Sequence, residues 1–182
     1  MKRIFIALKI PEYIRKEIVL FKYRAYSSNQ HFGWEPMNKL HITLKFIGEV
    51  KDDTVDKIID SLGFISKYKT LNCSLDKFGF FFKKNQPKIL WVGVKVNSEL
   101  NKMVENINYA LEKFSIKIDE REFKSHITLL RIKQKVSNNF IESFNNYKIP
   151  KVKFLADEIA IVESKLLPQG SKYKEIKNFK LN

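Results

Sequence analysis

His41 and His126 each open the same four-residue run, His-Ile-Thr-Leu, at residues 41–44 and again at 126–129. In a strand, alternate side chains share a face. His41 therefore points with Thr43, and His126 with Thr128, while the Ile and Leu of each run face the other way. The apolar pair can anchor each strand, and the His–Thr pair is offered to whatever lies opposite. The chain has three histidines; the third, His31, has neither a Thr partner nor a matching repeat and reads as surface or structural.

Two imidazoles without a metal suit in-line attack at phosphorus, where the attacking and leaving oxygens lie on opposite sides. A neutral imidazole can take a proton from water while an imidazolium gives one to the leaving alkoxide. A pKa near 6.5 brings both forms within reach at cellular pH. Two hydroxyls can hold the non-bridging oxygens as their charge grows. Other chemistries fit less well. Zinc wants three or four protein ligands, and no Asp or Glu stands at ligand spacing nearby. A Ser/His/Asp hydrolase lacks its nucleophile elbow, and no GxxxxGK loop exists for a nucleoside triphosphate. The plain structural alternative is two unrelated core histidines satisfied by neighbours.

Other residues carry two readings each. Phe32 and Trp34 stand just before the first run, where an aromatic can stack on a base or anchor a cleft wall. Lys45 shares the face of His41 by strict alternation and either adds positive potential or is simply solvated. Lys83, Lys84 and Lys88 form a basic turn that can track an RNA backbone or be a solvated hairpin tip. Cys73 reads as a small core residue.

The 182 residues, 44% apolar and 13% aromatic, suffice to bury a core. The net charge of +14 favours polyanionic partners such as RNA or nucleotides. Only five of the 34 basic residues are arginine, so a solvated lysine coat also explains that charge. One cysteine excludes an internal disulfide and suits a reducing compartment. No apolar run approaches the ~20 residues that cross a bilayer. The opening MKRIFIALKIPEY has its apolar stretch broken by Lys9, so it reads as a first strand and not a signal peptide. A soluble, cytoplasmic chain is expected.

The elements that must position the histidines alternate, with no linker between independent domains. Arg3–Lys9 predicts a strand, and Pro11 the first position of a helix through Ile14, Ile18 and Phe21. Asp52 or Asp53 can cap a second helix carrying Val55, Ile58, Ile59 and Leu62. Two strands follow, LNCSLDKFGFF and KILWVGVKV. Ser98 then caps a helix whose Leu100, Met103, Val104, Ile107, Leu111 and Phe114 make one apolar stripe. Ser137 starts a short helix through Phe140, Ile141 and Phe144, and strands near 148–155, 157–163 and 171–179 close the chain. The order helix, His-Ile-Thr-Leu strand, helix, strand pair thus occurs twice. That is the pattern of a duplicated α+β unit.

With these flanks the sequence resembles the two-histidine (2H) phosphoesterases, and among them the RNA 2′,3′-cyclic phosphodiesterases, also called 2′-5′ RNA ligases. The resemblance runs through RIFIALKIP, WEPMNKLHITLKFIGEV, FGFF with ILWVGV, REFKSHITLLR and ESKLLPQGSKYKEIKNFKL. Ser125 stands where the family usually has proline. The resemblance implies a single bilobal domain over 1–182, pseudo-symmetric, with two antiparallel-rich sheets facing a central cleft and helices on their outer faces. It implies no metal and no cofactor, RNA ends or small cyclic nucleotides as ligands, and a monomer with no obligatory protein partner or membrane. The implied reaction converts a terminal 2′,3′-cyclic phosphate to a 2′-phosphate, with reversible 2′-5′ joining as a related activity. His41 would give the proton and His126 accept one, with Thr43, Thr128 and Arg131 holding the phosphate. By strict alternation Arg131 faces away from His126, so it reaches the phosphate only if the strand ends or bulges. Two alternatives stay open: 2′-5′-linked oligonucleotides or another small cyclic phosphate as substrate, and an RNA-end binding protein without turnover.

Overall fold

A computed structural model describes residues 1–27, 32–118, 121–168 and 170–182. His31 lies outside the described residues. In chain order the elements are β1 (Lys2–Lys9), α1 (Glu12–Ala25), β2 (His41–Val50), α2 (Asp52–Ser61), β3 (Leu71–Lys83), β4 (Gln86–Val96), α3 (Glu99–Glu112), β5 (His126–Arg131), α4 (Asn138–Asn146), β6 (Lys153–Ala156), β7 (Glu158–Leu167) and β8 (Gly170–Lys180). The fold is α+β, as expected. Its strands pair antiparallel in the order β6-β3-β4-β5-β2-β1-β7-β8.

The middle of that order is nearly a seam. β2 meets β5 through one register pair, Ile42 with Ile127, whereas the flanking strands pair over many residues. The two expected sheets are therefore two four-stranded lobes of one sheet, joined where the two His-Ile-Thr-Leu runs touch. Neither lobe is one half of the sequence. β1 and β2 take β7 and β8 from the far end of the chain, while β5 takes β4, β3 and β6.

One sheet face carries the core. Ile4, Ile6 and Leu8 of β1, Ile42 and Leu44 of β2, Leu90 and Val92 of β4, and Ile127 and Leu129 of β5 are buried there. Against them pack Ile14, Ile18 and Phe21 of α1, Val55 and Ile58 of α2, the α3 stripe from Leu100 to Leu111, and Phe140 and Phe144 of α4. Each such Leu or Ile contributes about 1.5–3 kcal/mol on full burial. The opposite face carries a small cluster of Phe5, Ala7, Ala160 and Val162, with Tyr173 packed against it. That face is the cleft.

Helix starts differ in detail from the sequence reading. Pro11 precedes α1, its carbonyl accepting from Ile14 and Arg15 N–H. Lys51, not Asp52 or Asp53, flanks α2; both aspartates sit in its first turn, where the helix dipole favours negative charge. Ser98 precedes α3 without a side-chain cap bond. Ser137 does cap α4, its hydroxyl accepting from Phe140 N–H at 3.2 Å. The strand expected at 148–155 is only Lys153–Ala156, which leaves Leu75 N–H to bond the Val152 carbonyl outside the ladder.

A one-residue bulge interrupts both histidine strands at the same place. Ala7 pairs with Thr43 but Ile6 with Lys45, so Leu44 is the extra residue of β2. Trp91 pairs with Thr128 but Leu90 with Leu130, so Leu129 is the extra residue of β5. Each bulge reverses the alternation for the residues beyond it.

Candidate active site

The register of Ile42 with Ile127 places His41 opposite Thr128 and Thr43 opposite His126, on the face away from both isoleucines. The two histidines are then diagonal neighbours, a relation that in antiparallel pairs spans about 7–8 Å. A phosphate group fits between side chains at such a separation. All four residues line one cleft of about 820 Å³.

The two imidazoles are anchored alike. His41 Nδ1 donates to the Lys39 carbonyl at 2.6 Å, and His126 Nδ1 to the Lys124 carbonyl at 2.6 Å. A carbonyl can only accept, so the proton sits on Nδ1 and Nε2 is the unprotonated, accepting nitrogen of each neutral ring. His41 Nε2 lies 3.1 Å from Thr43 Oγ1. Behind the rings the walls differ. His41 stacks on Phe5 at 5.0 Å, with Tyr173 edge-on at 5.8 Å. His126 meets the edge of Phe81 at 4.9 Å and of Trp91 at 6.3 Å.

Both imidazoles are held below their ordinary pKa. Burial is the main cause at each ring, offset by the carbonyl hydrogen bond. Arg131 lowers both further, and His126 lowers His41. Both rings are therefore neutral at pH 7 in the free protein, and the positive charge around them attracts an anion.

Arg131 reaches the cleft because of the bulge at Leu129, which turns it back to the face of His126. Its Nε lies 3.6 Å from Glu35 Oε1. Arg3, Lys39 and Lys133 also line the cleft, and Glu35 is the single carboxylate lining it among the described residues. Arg3 sits over the Phe46 ring at 4.9 Å. Phe32 and Trp34 anchor the cleft wall, the second of the two readings offered for them. They border the cleft and pack on Phe140, while Trp34 also bridges to Leu130 and carries the Lys22 ammonium over its ring at 4.7 Å.

Lys45 does not share the face of His41. The bulge at Leu44 rotates it to the core side, where it is buried and donates to the Lys117 carbonyl at 2.6 Å. Lys83, Lys84 and Lys88 stand at an exposed hairpin tip outside the cleft lining, with Lys84 and Asn85 both at positive φ. Cys73 is buried, and burial pushes its thiol up to about 12, the behaviour of a core residue. Ser125, despite its departure from proline, is tied to β4 through Val94 N–H to its carbonyl at 3.1 Å. Among the described residues no three His, Cys, Asp or Glu side chains gather to hold a metal ion, and no helix is long and apolar enough to cross a membrane.

Sequence reasoning missed Arg3, Phe5, Lys39, Glu35, Phe46 and Tyr173. For Phe5 the signal was present: it alternates with Ile4 and Ile6, so it had to occupy the face opposite the core. Glu35 had none, since it lies in a segment without periodicity.

Comparison with known proteins agrees with this geometry. Residues 8–91 and 92–173 each match the family model described as LigT like phosphoesterase, so each match holds one His-Ile-Thr-Leu run. Proteins named RNA 2′,3′-cyclic phosphodiesterase align along nearly full length. That of Archaeoglobus fulgidus is 27% identical over 97% of this chain and 99% of its own. That of Methanocaldococcus jannaschii is 29% identical over 97% and 99%. Among solved structures, E. coli LigT complexed with 3′-AMP superposes with a TM-score of 0.79 at 21% identity, covering 100% of this chain and 98% of that one. TT0787 of Thermus thermophilus gives 0.80 at 22% identity, covering 98% and 97%. These structural likenesses carry the fold.

Proposed function

Since the chain belongs to the LigT-like phosphoesterase family, we propose that it hydrolyses the 2′,3′-cyclic phosphate at an RNA end to a 2′-phosphate by two-histidine acid–base catalysis. The observation that carries the proposal is the duplicated anchoring of His41 and His126, each with Nδ1 fixed on a backbone carbonyl and an unprotonated Nε2 in one cleft.

In the proposed reaction a water oxygen attacks phosphorus and the bond from phosphorus to the ribose 3′-oxygen breaks. His126 Nε2 takes the proton from water, and His41 Nε2 in its protonated form gives a proton to the departing oxygen. Thr43, Thr128 and Arg131 hold the non-bridging oxygens as charge accumulates. The phosphate anion offsets the depressed pKa of His41, so the ring becomes an acid when substrate arrives. The 2′-5′ joining reaction is the same displacement with a 5′-hydroxyl in place of water: its oxygen bonds to phosphorus as the bond to the 3′-oxygen breaks, and the reverse step restores the cyclic phosphate. The roles of the two histidines follow the family resemblance. The burial of His41 between Phe5 and Tyr173 supports its role as donor, because a sheltered leaving oxygen needs its proton from the protein.

The test is product-end analysis of an RNA bearing a terminal 2′,3′-cyclic phosphate, with excess EDTA present. A 2′-phosphate product is expected, with kcat lowered by roughly 10²–10⁴-fold in His41→Ala and His126→Ala. Full activity in either variant removes the mechanism. RNA binding without turnover by the intact protein would leave an end-binding protein instead.

A further inference from the structure

A second cavity, of about 600 Å³, adjoins the first. The two share Phe5, Lys39, His41, Gly170, Ser171 and Tyr173 in their walls, so His41 stands between them. Four cations line the second cavity, Lys9, Arg15, Lys39 and Lys172, against one carboxylate, Glu175.

Most of these charges are already occupied. Glu175 accepts from Lys9 at 3.0 Å and from Asn178 at 2.9 Å, and Lys9 also meets Glu158 at 3.4 Å. The Lys39 ammonium donates to the Ser171 carbonyl and forms a strut between the two cavities. Arg15 is different. Its charge acts on Glu175 without a direct bond, its Nη1 donates to the Met37 carbonyl at 3.4 Å, and its Nε is buried with no hydrogen-bond partner among the described residues. A donor enclosed without a partner is costly, and a ligand that turns the guanidinium toward the cavity would satisfy it. A guanidinium with spare donors matches phosphate oxygens better than any neutral group in that wall. Lys172 is exposed on β8 and adds a flexible second cation.

The geometry points to a second phosphate subsite. The added cavity takes the next phosphate along a nucleotide whose reacting phosphate lies between His41 and His126, and Arg15 is its principal ligand. This inference rests on the nucleotide reading of the first cavity and narrows it. The substrate is then a phosphorylated or oligomeric end, used in preference to a bare nucleoside cyclic phosphate.

Binding of product-like probes decides it. Adenosine 2′-phosphate, adenosine 2′,5′-bisphosphate and the dinucleotide ApA carrying a terminal 2′-phosphate are titrated calorimetrically into the wild-type protein, Arg15→Met, Arg15→Lys and Lys172→Gln. The 5′-phosphate should tighten wild-type binding about tenfold, the scale of one charge-assisted hydrogen bond. That ratio should fall to about one in Arg15→Met and recover partly in Arg15→Lys. Lys172→Gln, which leaves the packing of α1 untouched, should reduce it by a smaller factor. A matching gain for the dinucleotide assigns the subsite to an internucleotide phosphate, and a gain for the bisphosphate alone assigns it to a terminal one. Equal wild-type affinity for the probes with and without the second phosphate, or a ratio unchanged in Arg15→Met and Lys172→Gln, overturns the subsite. Turnover of adenosine 2′,3′-cyclic phosphate by the same samples reports separately on the phosphodiesterase reading.

Discussion

Phe46 and Arg131 hold the same position in the two halves, each five residues after a histidine and just past a bulge, and both line the cleft. The duplication therefore delivers one ring and one cation to the same cleft. Phe46 is half-exposed and carries Arg3 over its ring, while Arg131 pairs with Glu35. The backbone repeats at the two histidines, and the side chains diverge five residues on, into a ring in one half and a cation in the other.

Arg131→Met should lower kcat/KM on a cyclic-phosphate RNA by about 10–100-fold, the scale of a charge-assisted hydrogen bond of about 1.5–3 kcal/mol. Its exposed side chain predicts little change in Tm. Lys45→Leu gives the first half the residue that the second half carries at Leu130. Because Lys45 faces the core, KM should stay at the wild-type value. A raised KM in Lys45→Leu, with Arg131→Met unaffected, would reverse the assignment of faces.

The depressed imidazoles set the pH dependence expected of the proposed mechanism. That mechanism needs one ring protonated and one neutral, and with both pKa values below 6.5 the free protein populates that state mainly on the acid side of 6.5. Since kcat/KM reports free enzyme, its optimum should lie below pH 6.5 and fall as pH rises. A bound phosphate anion favours the protonated ring, raises the donor's pKa, and moves the kcat optimum to higher pH. Binding of a nucleoside 2′-phosphate at pH 7 should accordingly take up protons, measurable as a buffer-dependent calorimetric heat. An optimum of kcat/KM at pH 7 or above, with no proton uptake, contradicts the neutral pair.

Gly79 supports the His126 wall. A Cβ at that position would clash with Cζ2 and Cη2 of the Trp91 ring, and Trp91 packs on Phe81 and His126. Gly79→Ala should cost about 1–3 kcal/mol, the usual scale of overpacking. It should also lower kcat more than it raises KM, because the displaced Trp91 ring packs against the His126 imidazole. Gly79→Ala with Trp91→Val should recover much of the lost Tm. A double variant no more stable than Gly79→Ala would show that Trp91 is not what the methyl group meets.

Strand alternation alone puts His41 with Thr43 and His126 with Thr128, because no bulge falls within those few residues. It fails just beyond them. A single inserted residue leaves no mark in a run of apolar letters, so HITLKF and HITLLR read as regular strands. Lys45 was consequently placed on the wrong face, and Arg131 reaches the cleft only through the conditional exception. The helix stripes were legible because Leu100 to Leu111 repeat at helical spacing over several turns. The exchange of strands between halves was not, since a local repeat does not say which distant strand completes a sheet. Pairing of β1 with β7 is decided by long-range packing.

Glu35 sets an opposing charge in a cleft otherwise lined by the cations Arg3, Lys39, Arg131 and Lys133. Its carboxylate lies 3.6 Å from the Arg131 guanidinium, so a phosphate arriving at Arg131 must displace or share that contact. The pair keeps Arg131 aimed into the cleft in the free protein and weakens phosphate capture by competing for the same donors. Glu35→Gln keeps the shape while removing the charge. It should therefore tighten binding of inorganic phosphate or a nucleoside 2′-phosphate by several-fold at low salt. Because the cleft opens to solvent, the gain should shrink as ionic strength rises and the Debye length falls from about 10 Å at 0.1 M. The gain should vanish when Arg131→Met is combined with Glu35→Gln, since nothing is then released. Weaker phosphate binding in Glu35→Gln would mean instead that the carboxylate's main effect is to orient Arg131, and the competition argument would fail.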